Sequence, residues 1–273
     1  MKRRHAPGFT LIELLVVIAI IGLLGTFAIV QLTGAREKAR IAKSQAQEGQ
    51  ILRTVGDDLV LRWDFDECSG TSASDSSGYG RTATFNGSPA FSTDSASGNA
   101  CSLSFNGTDA FLSLADTPDL NFGANQDFTI SFWIKTSTVS DVSRAFIGKL
   151  FGGSGPGYGL RGNGSANQIE FWSTPDTSFT CTTCNYSDNK WHYVVAIRDD
   201  TTKKLYFDGS LVLSGTTVSN NITNAQPLYF GTRSGAVMYT GILDNLRIYR
   251  RSLTGEEIRW MYAEGASKHL ADK

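Results

Sequence analysis

Residues 127–136 read DFTISFWIKT, and Phe128, Ile130, Phe132 and Ile134 recur at every second position. Side chains on an extended chain point alternately to opposite faces, so this is the period of a β-strand with one apolar face. Neighbouring stretches share it. In LVLRWDFD (59–66) Trp63 and Phe65 oppose Asp64 and Asp66, and WHYVVAIR (191–198) and KLYFDG (204–209) repeat the pattern. Such alternation predicts antiparallel strands buried on one face. Asn86-Gly87, Asn106-Gly107, Asn163-Gly164 and Asp208-Gly209 are the residue pairs that tight turns favour. The predicted fold class is mainly β, an antiparallel sandwich or jelly roll.

Upstream the period changes. Residues 35–58, AREKARIAKSQAQEGQILRTVGDD, are rich in helix formers, and Ala35, Ala39, Ala42 and Ala46 make a helical stripe of small residues. Before them, Phe9 to Val30 (FTLIELLVVIAIIGLLGTFAIV) is apolar except for Glu13. As a helix that run reaches about 33 Å, enough to span a bilayer core and too long for a secretory signal of roughly 7–15 apolar residues. A carboxylate such as Glu13 inside a span costs about 2.5–3.5 kcal/mol and calls for a partner. Lys2, Arg3 and Arg4 precede the span while Arg36, Lys38, Arg40 and Lys43 follow it, so charge alone does not orient it. The net charge is −1, and with no basic excess no nucleic-acid partner is predicted.

The segment KRRHAPGFTLIELLVVIAIIGLL (2–24) resembles the N-terminus of type IV prepilins and type II secretion pseudopilins. The resemblance implies a leader over 1–8, cut by a prepilin peptidase between Gly8 and Phe9, and N-methylation of Phe9. It also implies a helix over 9–58, with a membrane span at about 9–30 and a stalk over 31–58. Glu13 would pair with the α-amine of Phe9 on a neighbouring subunit, each charge compensating the other in a core that excludes water. The implied partners are the peptidase, the membrane and other pilin subunits. All six prolines lie outside this helix, whereas many family members carry one within it.

The remaining blocks, WDFDE (63–67), DSSGYGRTATF (75–85), SLSFNGTDAFLSL (102–114), FTISFWIKT (128–136), WHYVVAIRDDTTKKLYFDGSLV (191–212) and GILDNLRIYRRSLTGEEI (241–258), resemble a concanavalin A-like, laminin G-like jelly roll. It would occupy 59–265, leaving a tail at 266–273. The resemblance implies a binding domain for a glycan or surface protein. It also implies a structural calcium, with Asp75 and Asp244 as candidate ligands by their place in the motif; the other reading is that both cap turns or pin strands. Trp172, Tyr158 and Tyr186 are candidates for stacking on sugar rings, with core or edge packing as the alternative. Thr254 and Glu257 form a capping pattern before a short helix whose apolar face is Ile258, Met261 and Tyr262.

Four cysteines, at 68, 101, 181 and 184, allow three pairings. Cys181 and Cys184 are too close for each to reach a distant partner readily, which favours Cys68–Cys101 with Cys181–Cys184. Disulfides suit a domain outside the cytoplasm. Half a zinc site or a redox motif is the alternative for the C-x-x-C, but His5, His192 and His269 are the only histidines to complete one. No catalytic residue is predicted. Glycosidases need two carboxylates facing each other across a cleft, and the glutamates here are scattered. His192 has no evident serine or cysteine partner and is predicted to pack in a strand.

The expected function is a pilin-like filament subunit at the inner membrane, displaying an adhesive domain outside the cytoplasm. A pseudopilin of a type II secretion or DNA-uptake system is the alternative. A membrane-tethered carbohydrate-active enzyme is a third reading, and the missing carboxylate pair argues against it.

Overall fold

The computed structural model describes residues 11, 12, 14–18, 20, 21, 56, 58–96, 101–138, 144–150, 155–163, 168–233, 235 and 237–271. The chain divides into two compact units, Met1–Thr54 and Val55–Lys273. In the first, residues 11, 12, 14–18, 20 and 21 are helical with exposed side chains. Among the described residues no helix is long and apolar enough to cross a membrane. Most of the predicted span and nearly all of the stalk lie outside the described residues, as do Gly8, Phe9 and Glu13.

The second unit is built from two antiparallel sheets. Its strands in chain order are β1 (Leu59–Trp63), β2 (Ser72–Ala73), β3 (Ala83–Asn86), β4 (Ala90–Ser92), β5 (Ser102–Asn106), β6 (Phe111–Leu114), β7 (Phe128–Lys135) and β8 (Arg144–Lys149). There follow β9 (Gly157–Asn163), β10 (Gln168–Thr174), β11 (Phe179–Cys181), β12 (His192–Asp199), β13 (Thr202–Phe207), β14 (Ser210–Thr216), β15 (Leu228–Phe230) and β16 (Thr240–Tyr249). The first sheet runs β14-β13-β12-β7-β16-β5-β4, with β1 also paired to β16, and the second runs β11-β10-β9-β8-β15-β6-β3-β2.

The alternating residues explain the core. Phe128, Ile130, Phe132 and Ile134 of β7 face inward with Val194 and Ala196 of β12 and Leu243 and Ile248 of β16. Leu112, Leu160, Ile169 and Phe171 of the second sheet meet them in the same cluster. Phe230 is a hub, its ring 5.9–6.3 Å from those of Trp63, Phe65, Phe105 and Phe132. Each large apolar side chain buried this way contributes roughly 1.5–3 kcal/mol. β1 ends at Trp63, short of the predicted alternation to Asp66, because Phe65 adopts φ 64°. That left-handed backbone is uncommon for a bulky residue. It still delivers the ring to the core, stacked on Phe230.

The expectation of strands buried on one face is corrected for β7 and β12, which are buried on both. Helix α1 (Gly255–Ala271) is the reason. Ile258 and Met261 pack on Trp133, Tyr193, Val195, Ile197 and Tyr249, the outer face of the first sheet. The ring of Tyr262 stacks 5.7 Å from that of Trp133. Gly265 makes the approach possible, since a Cβ there would sit 2.5 Å from the Trp133 Cζ2. The start of the helix is a reciprocal cap: Thr254 N–H donates to Glu257 Oε2 at 2.7 Å, and Glu257 N–H donates to Thr254 Oγ1 at 3.3 Å. Arg251 holds the same carboxylate with two bonds at 2.6 and 3.0 Å. The helix continues to Ala271, beyond residue 265 where the sequence pattern ends the domain.

Disulfides join Cys68 to Cys101 and Cys181 to Cys184, with Cα separations of 5.4 and 5.7 Å. The first ties the segment after β1 to the segment entering β5.

Candidate functional site

Two acidic residues were candidate calcium ligands, and their environments differ. Asp75 lies in the turn region between β2 and β3. Its Oδ1 accepts the N–H groups of Arg62 (3.0 Å) and Ser77 (2.9 Å), and its Oδ2 accepts that of Arg81 (2.9 Å). Burial raises the Asp75 carboxyl, but bonds from Ser77, Arg81 and Arg62 outweigh it and hold the group below its ordinary value. Both oxygens serve backbone donors, so Asp75 pins the turn to β1.

Asp244 lies on β16 where the pairing with β7 shifts register between Asp244 and Arg247, and Asn245 beside it has φ 50°. Its side chain is 0% exposed. Oδ2 accepts the Ala96 N–H at 2.9 Å, while Oδ1 has no hydrogen-bond partner. Burial pushes this carboxyl well above the ordinary range, and the neighbouring charges of Asp64 and Asp66 raise it further. An orphaned oxygen on a buried carboxyl beside other carboxylates fits a cation ligand. Among the described residues no group of three or more His, Cys, Asp or Glu side chains is arranged to hold a metal alone. A cation here would need carbonyl or water oxygens as well.

None of the three candidate stacking aromatics is exposed. Tyr158 is in the core, its hydroxyl donating to the Leu120 carbonyl at 2.9 Å, and Tyr186 packs edge-on to Phe146. Trp172 sits on the outer face of the second sheet yet is only 4% exposed. The cause is two glycines on adjacent strands. A Cβ at Gly159 would lie 2.6 Å from the Trp172 Cζ2, and one at Gly148 would lie 3.3 Å from that atom and 3.3 Å from the Cγ of Arg233. The indole thus lies down on bare backbone beside the Arg233 stem, and its Nε1 has no partner.

This row continues across the sheet. Trp172 pairs with Gly159, Gly159 with Gly148, Gly148 with Tyr229, and Tyr229 with Ser113. Directly paired residues share a face. Phe111, two positions from Ser113, joins them with its ring 5.9 Å from Tyr229. Glu170 and Arg161, paired on the same face, form a two-pronged ion pair at 2.8 and 3.1 Å. The outer face of the second sheet therefore offers the half-buried rings of Tyr229 and Phe111 beside a glycine floor, with guanidinium and carboxylate groups alongside. Flat apolar faces next to charged hydrogen-bonding groups suit a sugar ring. The sequence named Trp172 but not Tyr229, Phe111 or Arg233, which only strand register brings together.

His192 does more than pack. Its Nδ1 is 2.8 Å from Asp208 Oδ2, its Nε2 is 2.9 Å from Asp188 Oδ1, and its ring stacks 4.7 Å from Phe207. All four cysteines are in disulfides, so the histidine has no thiol to activate.

A family model for the concanavalin A-like lectin/glucanases superfamily matches residues 105–259, more than half of the chain. The chain belongs to that superfamily. The model of the prokaryotic N-terminal methylation motif matches residues 3–29 ahead of the lectin/glucanase domain. No curated protein matches the sequence. Among solved structures, the binding domain of Paraclostridial Mosquitocidal Protein 1 is similar at 16% identity and a TM-score of 0.62, covering 76% of this chain and 52% of that one. Domain 4 of AbnA, a GH43 extracellular arabinanase from Geobacillus stearothermophilus in complex with arabinotriose, is similar at 20% identity and a TM-score of 0.60, covering 75% of this chain and 98% of that one. The botulinum neurotoxin serotype D ligand binding domain in complex with N-acetylneuraminic acid follows at 18% identity and a TM-score of 0.60, covering 78% and 52%. The chain thus spans about half the length of the toxin domains it matches. At these identities the likeness concerns the lectin/glucanase fold alone.

Proposed function

We propose that the protein is a type IV pilin-like filament subunit that displays a glycan-binding, laminin G-like domain on the cell surface. The observation that carries this is one chain in which a methylation motif over 3–29 precedes a lectin-like domain over 105–259. In this reading a prepilin peptidase cuts between Gly8 and Phe9, and Phe9 is methylated. The apolar segment anchors the chain in the inner membrane with the lectin domain outside the cytoplasm. Glu13 then pairs with the Phe9 amine of the next subunit in the filament core. Both disulfides suit that compartment.

The domain binds rather than turns over its ligand in this proposal. Support comes from two of the similar structures, which hold arabinotriose and N-acetylneuraminic acid in domains described by position or by ligand binding. The outer face of the second sheet, with Tyr229, Phe111, Arg233, Arg161 and Glu170, is the proposed glycan surface. Asp244 is the proposed protein anchor for a structural calcium, whose charge would compensate the buried carboxylate.

N-terminal mass spectrometry of the protein from its native host tests the filament reading. A mature start at methylated Phe9 is expected. An intact Met1, or a cut after residue 30, overturns filament assembly and leaves a tethered or secreted binding domain.

A further inference from the structure

His192 is bonded at both ring nitrogens to carboxylates that belong to two different segments. Asp188 sits in the loop between β11 and β12, a few residues beyond the Cys181–Cys184 disulfide, and Asp208 sits in the turn between β13 and β14. A carboxylate only accepts hydrogen bonds, so both contacts are hydrogen bonds only when both nitrogens carry protons. A neutral imidazole has one N–H and must present a lone pair to one of the two carboxylates.

We infer that an imidazolium at His192 latches the Asp188–Lys190 end of this loop to the start of β12, and that loss of its proton frees that end while the buried Tyr186 and the β13–β14 turn stay in place.

The direction of release follows from what else holds each carboxylate. Asp208 is fixed to β12 independently, since its Oδ1 accepts the Tyr193 N–H at 2.9 Å and its own N–H donates to the Tyr193 carbonyl at 2.9 Å. Gly209 next to it packs under the Tyr262 ring of α1, where a Cβ would sit 3.0 Å from Cδ1. The remaining proton of a neutral ring is therefore best kept on Nδ1, toward Asp208. Asp188 also accepts the Lys190 N–H at 3.0 Å and faces the Lys190 ammonium at 3.3 Å, both within its own loop. They cannot tie the loop to the sheet. The Asn189 N–H bond to the Thr136 carbonyl at 2.9 Å and the buried Tyr186 ring against Phe146 remain when the imidazolium is lost, so the freed part is the exposed end around Asp188 and Lys190.

The charges around the latch are thus Asp188 and Lys190 from the loop, Asp208 from the turn and the Tyr262 phenol from α1. Phe207 stacks on the ring, and Ile134 of β7 is the cross-strand partner of His192. Burial by itself lowers the His192 value, but the bonds to Asp208 and Asp188 and their charges outweigh it and raise the group above its ordinary value. Asp188 is held below its ordinary value: burial raises it, and His192 and Lys190 more than offset this. The latch is therefore closed at pH values between the lowered Asp188 and the raised His192, and it opens on the alkaline side.

Hydrogen exchange by mass spectrometry on the full-length chain from pH 5 to 9, corrected for intrinsic exchange, reads the loop directly. NMR of the imidazole nitrogens in the same chain reads the ring. Protection of residues 188–190 is expected to fall about tenfold or more as the ring titrates, the scale of a lost charge-assisted hydrogen bond. Protection around Asp208 is expected to stay constant. In Asp188→Asn the loop step should vanish while the turn remains protected, and this exposed substitution keeps the side-chain shape. Loop protection that is flat across the imidazole titration, a ring lacking the proton on Nε2 at pH 6, or a step that survives in Asp188→Asn would each overturn the latch.

Discussion

At the scale of single residues, Asp75 and Asp244 show how the same side chain takes opposite roles. Asp75 has three backbone donors and is held ionised, whereas Asp244 is completely buried and its backbone bonds from Ala96 and Asn245 do not offset that burial. A cation that binds only the folded chain raises its stability by mass action. Millimolar calcium should therefore raise the melting temperature of the full chain, and Asp244→Asn should remove that rise. The amide keeps an acceptor for the Ala96 N–H, so the variant tests the charge rather than the fold. A calcium-dependent shift that persists in Asp244→Asn would place any bound calcium elsewhere. Both aspartates were legible as motif positions. Their difference was not, because it depends on where the Arg62, Ser77, Arg81 and Ala96 N–H groups point. His192 was hidden for a similar reason: its partners at 188 and 208 meet only once the loop and hairpin have folded back on β12.

At the scale of elements, the contact between α1 and the first sheet turns on Gly265. In an exposed helix a change from glycine to alanine stabilises by about 1 kcal/mol. Here the added methyl would meet the Trp133 indole, and forcing extra volume into a packed contact costs about 1–3 kcal/mol. Gly265→Ala should therefore lower the denaturant midpoint and shift the tryptophan emission, and a stabilised variant would show that the helix lies looser on the sheet than the geometry indicates. The strand character of 128–135 was plain from its period of two, since local alternation reports one apolar face. The burial of Thr129, Ser131 and Trp133 was not, because the cover comes from a helix more than a hundred residues later. That helix was itself announced by Thr254, Glu257, Ile258 and Met261. Its length was not, because the residues after 265 carry no stop signal.

At the scale of the whole molecule, the two sheets are unequal. The first has its outer face under α1, while the second presents Tyr229, Phe111 and the Arg161–Glu170 pair on its outer side. Arabino-oligosaccharides and sialylated glycans, the sugar classes held by two of the similar structures, are the first ligands to assay. Removing an aromatic stacking face from a bound ring costs about 1–3 kcal/mol by analogy with base stacking. Tyr229→Ala should thus weaken glycan binding about tenfold or more on an array or by calorimetry, with the melting temperature little changed. Unchanged binding in that variant would move the ligand surface to the loops. The sandwich was legible from alternation and turn pairs alone. The aromatic row was not, because it is assembled from β6, β10 and β15, whose neighbours are fixed by topology.

Entry and exit of the lectin domain both belong to the first sheet: β1 pairs with β16 there, and α1 closes over the same sheet. The second sheet carries neither connection. Substitutions on the outer face of the second sheet can therefore accumulate strand by strand without touching the contacts by which β1 and α1 close on the first sheet.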